Sequence, residues 1–145
     1  MSQENVDLVL TLYPGPNVDV VPVFRDAEMA AELFAVAETI VDPDCECVSP
    51  RLAGDSDIRT GLEALSAVWM QWLAPWAMLR TNVDDAIDCG DRVLVMQRAF
   101  GRREDGVEVE MLTGADIWTV RDGRVVRAEL YLDQDEARRI LGLDG

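Results

Sequence analysis

From Leu79 to Leu132 the chain reads as four strand-like runs separated by short polar turns. Leu79–Asp88 turns at Cys89-Gly90-Asp91 into Arg92–Arg102. Glu104-Asp105-Gly106 leads into Val107–Val120, and Arg121-Asp122-Gly123 into Arg124–Leu132. The Asp-Gly pairs supply the positive backbone dihedrals that tight hairpins need. Along Arg92–Arg102 side chains alternate, so Val93, Val95, Gln97 and Ala99 share one face, with Leu94, Met96 and Phe100 on the other. On the last run Val126, Ala128, Leu130 and Leu132 alternate with Glu129 and Tyr131, which are expected to face a partner or solvent. Asp133 is placed to cap a closing helix through Leu141, ended by Gly142.

The first half has helical spacing instead. Val6, Val9 and Leu10 give an amphipathic helix over Asn5–Leu12, stopped by Pro14-Gly15-Pro16. Asn17–Phe24 is apolar but holds Pro22, so it reads as a loop or a poor helix. Asp26 caps a second helix with Ala30, Leu33, Phe34, Ala37, Ile40 and Val41 on its apolar face, ended by Asp42-Pro43. Cys45–Ser49 is a short strand and Pro50–Ser56 a loop. Thr60-Gly61-Leu62-Glu63 has the spacing of a capping box that opens a third helix. Ile58, Leu62, Leu65, Trp69, Trp72 and Trp76 step by three or four along its face, and Pro75 ends it. Helices followed by a strand meander give an α+β fold: one domain over residues 1–145, with helices packed on a strongly curved antiparallel sheet.

Composition narrows the function. At 49% apolar residues the chain has enough material for a core. A formal charge of −15 repels phosphate backbones and anionic head groups, so nucleic acid and membrane surfaces are not expected partners. No apolar run approaches a membrane span, and the N-terminus lacks a signal-peptide pattern, so a cytoplasmic protein is expected. Histidine is absent, which excludes imidazole-dependent triads and metal sites. Acid–base chemistry falls to carboxylates, tyrosine or water. The three cysteines read as reduced structural thiols, and no metal or cofactor is expected.

Several stretches carry a family resemblance: Ser2-Gln3-Glu4-Asn5-Val6, Val41-Asp42-Pro43-Asp44, Gly90-Asp91-Arg92-Val93, Ile117 through Val126, and Tyr131-Leu132-Asp133. In this order the chain resembles the nuclear-transport-factor-2-like superfamily, and within it the SnoaL-like polyketide cyclase and ketosteroid isomerase-like proteins. The resemblance implies a cone whose helices close over the sheet, a pocket at the open end and a homodimer through the outer sheet face. That outer face would carry Leu94, Met96, Phe100 and Tyr131. The Pro14–Pro22 stretch departs from the family's short polar link.

By that resemblance Tyr13 falls at the first-helix tyrosine of isomerase-like sites and Asp116 at their oxyanion acid, a neutral carboxyl kept so by an apolar site. The base position is Ser49-Pro50, so the isomerase base is missing. The epoxide hydrolase pattern fails as well, since Gln97, Ala99 and Leu130 stand where its charged groups belong. Tyr13 and Asp116 are therefore the candidate catalytic residues. Ser49, Trp69, Trp72, Trp76, Val95, Gln97, Ala99 and Leu130 are the candidate pocket lining. An apolar pocket would favour the uncharged form of Asp116 and leave it a proton donor. Three functions compete: a small-molecule-binding protein for an apolar, polyketide-like or steroid-like ligand; an isomerase-, cyclase- or lyase-type enzyme; and a non-catalytic dimerisation module.

Overall fold

The structure is a computed structural model that describes residues 2–13, 18–48, 58–61, 73–131 and 133–143. Its elements in chain order are α1 (Ser2–Leu10), β1 (Val18–Asp19), α2 (Val20–Arg25), α3 (Ala27–Glu38), β2 (Val41–Val48) and β3 (Ile58–Thr60). Then come β4 (Trp76–Cys89), β5 (Arg92–Arg103), β6 (Glu108–Arg121), β7 (Arg124–Tyr131) and α4 (Gln134–Ile140). Among the described residues no helix is long and apolar enough to cross a membrane.

The fold is α+β. The strands form one open sheet in the order β1-β4-β5-β6-β7-β2-β3. The expected meander is its centre, with antiparallel pairing from β4 through β7. At one point the expected antiparallel sheet is corrected: β2 runs parallel to β7, with Cys47 opposite Ala128. The sheet is therefore mixed. Register slips between Val83 and Asp85, Ala99 and Gly101, and Thr119 and Val120 bend the central strands.

Several local expectations shift. Of the stretch expected as a loop or poor helix, Val18–Asp19 forms β1 and Val20–Arg25 forms α2, because Asp19 Oδ1 accepts from Val21 N and also from Leu79 N, both at 3.1 Å. Pro22 lies in the first turn of α2, where a missing N–H costs no helical bond. α3 stops at Glu38, and Val41-Asp42-Pro43 lies inside β2 rather than at a helix end. The slip between Val41 and Glu46 along β7 takes up the proline. Ile58 and Thr60 belong to β3, paired with β2. The helix expected after Thr60 falls mostly on residues 62–72, which lie outside the described residues. Trp76 is the first residue of β4, not part of a helical face.

Two packed faces result. On the inner face α1 and α3 bring Val6, Val9, Leu12, Ala37 and Ile40 against Val93, Val95, Trp118, Val125 and Ala128. A second inner cluster joins Val20, Val21, Leu73, Trp76, Leu79 and Ala99. On the outer face α4 lays Ala137 on Leu94, Ala115, Ile117 and Tyr131. This changes what the outer face offers a partner: Leu94 and Tyr131 are already covered by the chain's own helix. Glu129, expected to face a partner or solvent, is buried within the chain, where Tyr131 Oη donates to it at 2.7 Å and Arg127 Nε at 3.1 Å.

Candidate functional site

Asp116 sits mid-strand on β6, directly across from Val95 on β5 and Leu130 on β7. These partners put its side chain on the inner face, and its exposure is 3%. An isolated carboxylate in such surroundings would be very costly. Its Oδ2 accepts two hydrogen bonds: from the Tyr13 hydroxyl at 2.5 Å and from Gln97 Nε2 at 2.8 Å.

Each donor reaches this point for a local reason. Val6, Val9 and Leu12 recur every third residue and bury α1 and the turn after it on the sheet. In that turn Leu12 N donates to Val9 O and Tyr13 N to Leu10 O, which swings Tyr13 over β5 and β6. Gln97 is one alternation beyond Val95 on the same face and pairs with Gly114. From there the Gln97 side chain runs past Gly114 to Asp116.

Trp118 completes the cluster. Two residues beyond Asp116 on β6, it shares the inner face and is 1% exposed. Its Nε1 donates to the Tyr13 hydroxyl at 2.7 Å, with the rings edge to face at 6.0 Å and 81°. Indole nitrogen only donates, so the Tyr13 oxygen accepts from Trp118 and its own hydrogen goes to Asp116. The order is Trp118 to Tyr13 to Asp116, with Gln97 as second donor. This puts Asp116 at the accepting end of the chain. Sequence reading did not assign Trp118 a role, although its two-residue offset from Asp116 was the available signal.

The other candidates distribute unevenly. Val95 and Leu130 flank Asp116 in register and are buried. Ala99 and Trp76 pack in the second inner cluster with Val20, Val21 and Leu79, not around the carboxyl. Ser49, Trp69 and Trp72 lie outside the described residues. Cys45 and Cys47 are buried in the inner core.

The SnoaL-like domain signature spans residues 23–128. The chain belongs to the SnoaL-like family. No curated protein matches this SnoaL-like chain in sequence. Solved structures are similar over nearly its whole length. A Jannaschia sp. CCS1 protein, assigned as a SnoaL-like polyketide cyclase, covers 99% of it and 95% of its own chain, at 18% identity and TM-score 0.70. An NTF2-like protein of unknown function from Burkholderia pseudomallei K96243 covers 95% and 97%, at 18% identity and TM-score 0.65. TerC, co-crystallised with polyporic acid, covers 96% and 98%, at 20% identity and TM-score 0.64. Identities this low carry the fold and not the activity.

Proposed function

We propose that this SnoaL-like protein binds a small, largely apolar organic molecule of polyketide-like or steroid-like character beside Asp116. One observation carries the reading. A carboxyl is held on an apolar face by two aimed donors, where an aliphatic residue would pack at no electrostatic cost. A few convergent polar groups in apolar surroundings are the usual make-up of a small-molecule site. TerC, a protein of the same fold, was co-crystallised with polyporic acid, which supports a small organic ligand in this fold. Thermal unfolding against a panel of steroid and aromatic polyketide ketones tests it. At a hundredfold excess over Kd a true ligand adds about 2.7 kcal/mol, and Asp116→Leu should abolish that gain. A panel with no saturable stabilisation rejects the reading.

A second reading is a proton-transfer enzyme of the isomerase, cyclase or lyase sort, with Asp116 and Tyr13 as its acid–base pair. The hydrogen-bond order favours Asp116 as the base, since Tyr13 already donates to it. A substrate carbonyl would have to take the Tyr13 hydrogen from Asp116. Deuterium uptake at the carbon beside a ketone, faster with wild type than with Asp116→Asn, would support this. Equal rates would remove it.

We propose a homodimer through the outer sheet face as well. With Leu94 and Tyr131 covered by α4, half-buried Met96 and Phe100 are the outer-face residues left to meet a second copy. Sedimentation as a monomer at micromolar concentration would dismiss it.

A further inference from the structure

Gln134 opens α4 on the outer face, one residue after the cap Asp133. Its side-chain Nε2 lies 3.1 Å from the carbonyl oxygen of Gly114 and 3.3 Å from that of Gln97. Those two residues are register partners on β6 and β5. The sheet is irregular around them. β4 slips between Val83 and Asp85 beside Gln97, and the β5–β6 pairing, continuous from Arg92 to Ala99, slips between Ala99 and Gly101. Gln134 thus bridges the two strands from the outer face at one paired position of their ladder.

On the opposite side of the same pair the Gln97 side chain starts its path to Asp116. A Cβ at position 114 would stand 3.6 Å from both Cγ and Nε2 of Gln97, so the amide lies across the bare backbone of Gly114. The place where Gln134 grips the strands is therefore the place from which Gln97 reaches the carboxyl.

We propose that Gln134 is a positioning residue for the Asp116 cluster: from the outer face it fixes the β5–β6 backbone that aims Gln97 at Asp116. It acts through Gln97 and touches no ligand. A donor with two carbonyls in reach is what the task needs, and an amide nitrogen carries two hydrogens. The proposal rests on the Tyr13–Asp116–Gln97 cluster being the site. Its test is read on the ligand-free protein, so a failed ligand search and a failed proposal give different results.

The probe is the Gln97 side-chain amide resonance in nitrogen–proton correlation spectra, identified by its loss in Gln97→Met. Gln134→Met keeps the length and removes the donor. Gln134→Glu keeps the shape and, ionised, offers no donor. Gln134→Lys restores donors at similar reach. The expected result is that the Met and Glu variants move the Gln97 resonance into the region of exposed glutamine amides, while Lys leaves it near its wild-type position. Should the Met variant fail to fold, the Glu–Lys contrast decides. An unmoved resonance in the non-donor variants overturns the proposal. So does an equal shift in all three, which would make packing and not donation the cause.

Discussion

The indole of Trp76 lies over Gly101, in the space any other residue at 101 would need. A Cβ there would stand 2.6 Å from Cε3 and Cζ3 of the ring and 2.9 Å from Leu79 Cδ1. Trp76 has no room to retreat. It is buried among Val20, Val21, Leu73 and Leu79, and its carbonyl is held by Arg25 Nη2 at 2.8 Å. Gly101→Ala is therefore expected to destabilise by about 1–3 kcal/mol through overpacking. Urea unfolding measures this, and an unchanged midpoint would mean the ring is free to move.

Tyr13→Phe should weaken the fold as well as the site. It removes the acceptor of a buried indole N–H and the Tyr13 donor to Asp116. Leaving a buried polar group unsatisfied costs about 1–3 kcal/mol. Asp116→Asn keeps an oxygen for both donors and should cost less. If equilibrium unfolding ranks the two variants the other way round, the hydrogen-bond order assigned here is wrong.

Stability should fall on the alkaline side because of Tyr131. Burial, then its bond to Glu129 and that carboxylate's charge, raise the phenol above its ordinary value of 10.0. The unfolded chain releases this proton first. The contribution to stability is therefore complete below about pH 10 and is lost as pH rises from there toward the folded value. Unfolding midpoints followed upward through that window should drop more steeply for wild type than for Tyr131→Phe. Parallel curves would show that Tyr131 does not carry the effect.

The three thiols should separate by reactivity. Cys45 and Cys47 are buried, and the bond to Cys47, together with burial, pushes the Cys45 thiol far up. Cys89 is half-exposed at the end of β4, its thiol raised by burial and by Asp88. Thiolate is the reacting form. In native protein a disulfide reagent should modify Cys89 alone, more slowly than free cysteine, and all three thiols only after denaturation. Fast labelling that persists in Cys89→Ser would contradict the burial of the Cys45–Cys47 pair.

The meander was legible because Asp-Gly turns and alternation are local signals, and β4 to β7 need only their neighbours. The placement of Asp116 came from its match to the acid of isomerase-like sites and not from alternation; the register that sets it opposite Val95 and Leu130 is a feature of the folded sheet. Other features rest on information no local window holds. That β2 lies parallel to β7 depends on a strand from the far end of the chain. That Trp76 joins β4 and not a helix reflects the space above Gly101, which outweighs its three-four spacing from Trp69 and Trp72. Asp19 was hidden as a cap because one of its two bonds goes to Leu79, far along the sequence. Glu129 and Tyr131 were placed on the outer face, but the burial of Glu129 depends on its bonds to Tyr131 and Arg127.

The parallel seam between β2 and β7 also sets an order of events in time. Val41 finds its partner Val125 more than half the chain away, whereas β4 through β7 close by hairpins. Distant contacts carry a loop-closure cost that local ones do not. On a ribosome β2 is made early and must wait, its edge unpaired, until β7 has emerged. The hairpin strands are thus expected to gain protection in pulse-labelled hydrogen exchange before β2 does. The thiols of Cys45 and Cys47 then become a clock for the last step: their shielding marks the moment the N-terminal half docks.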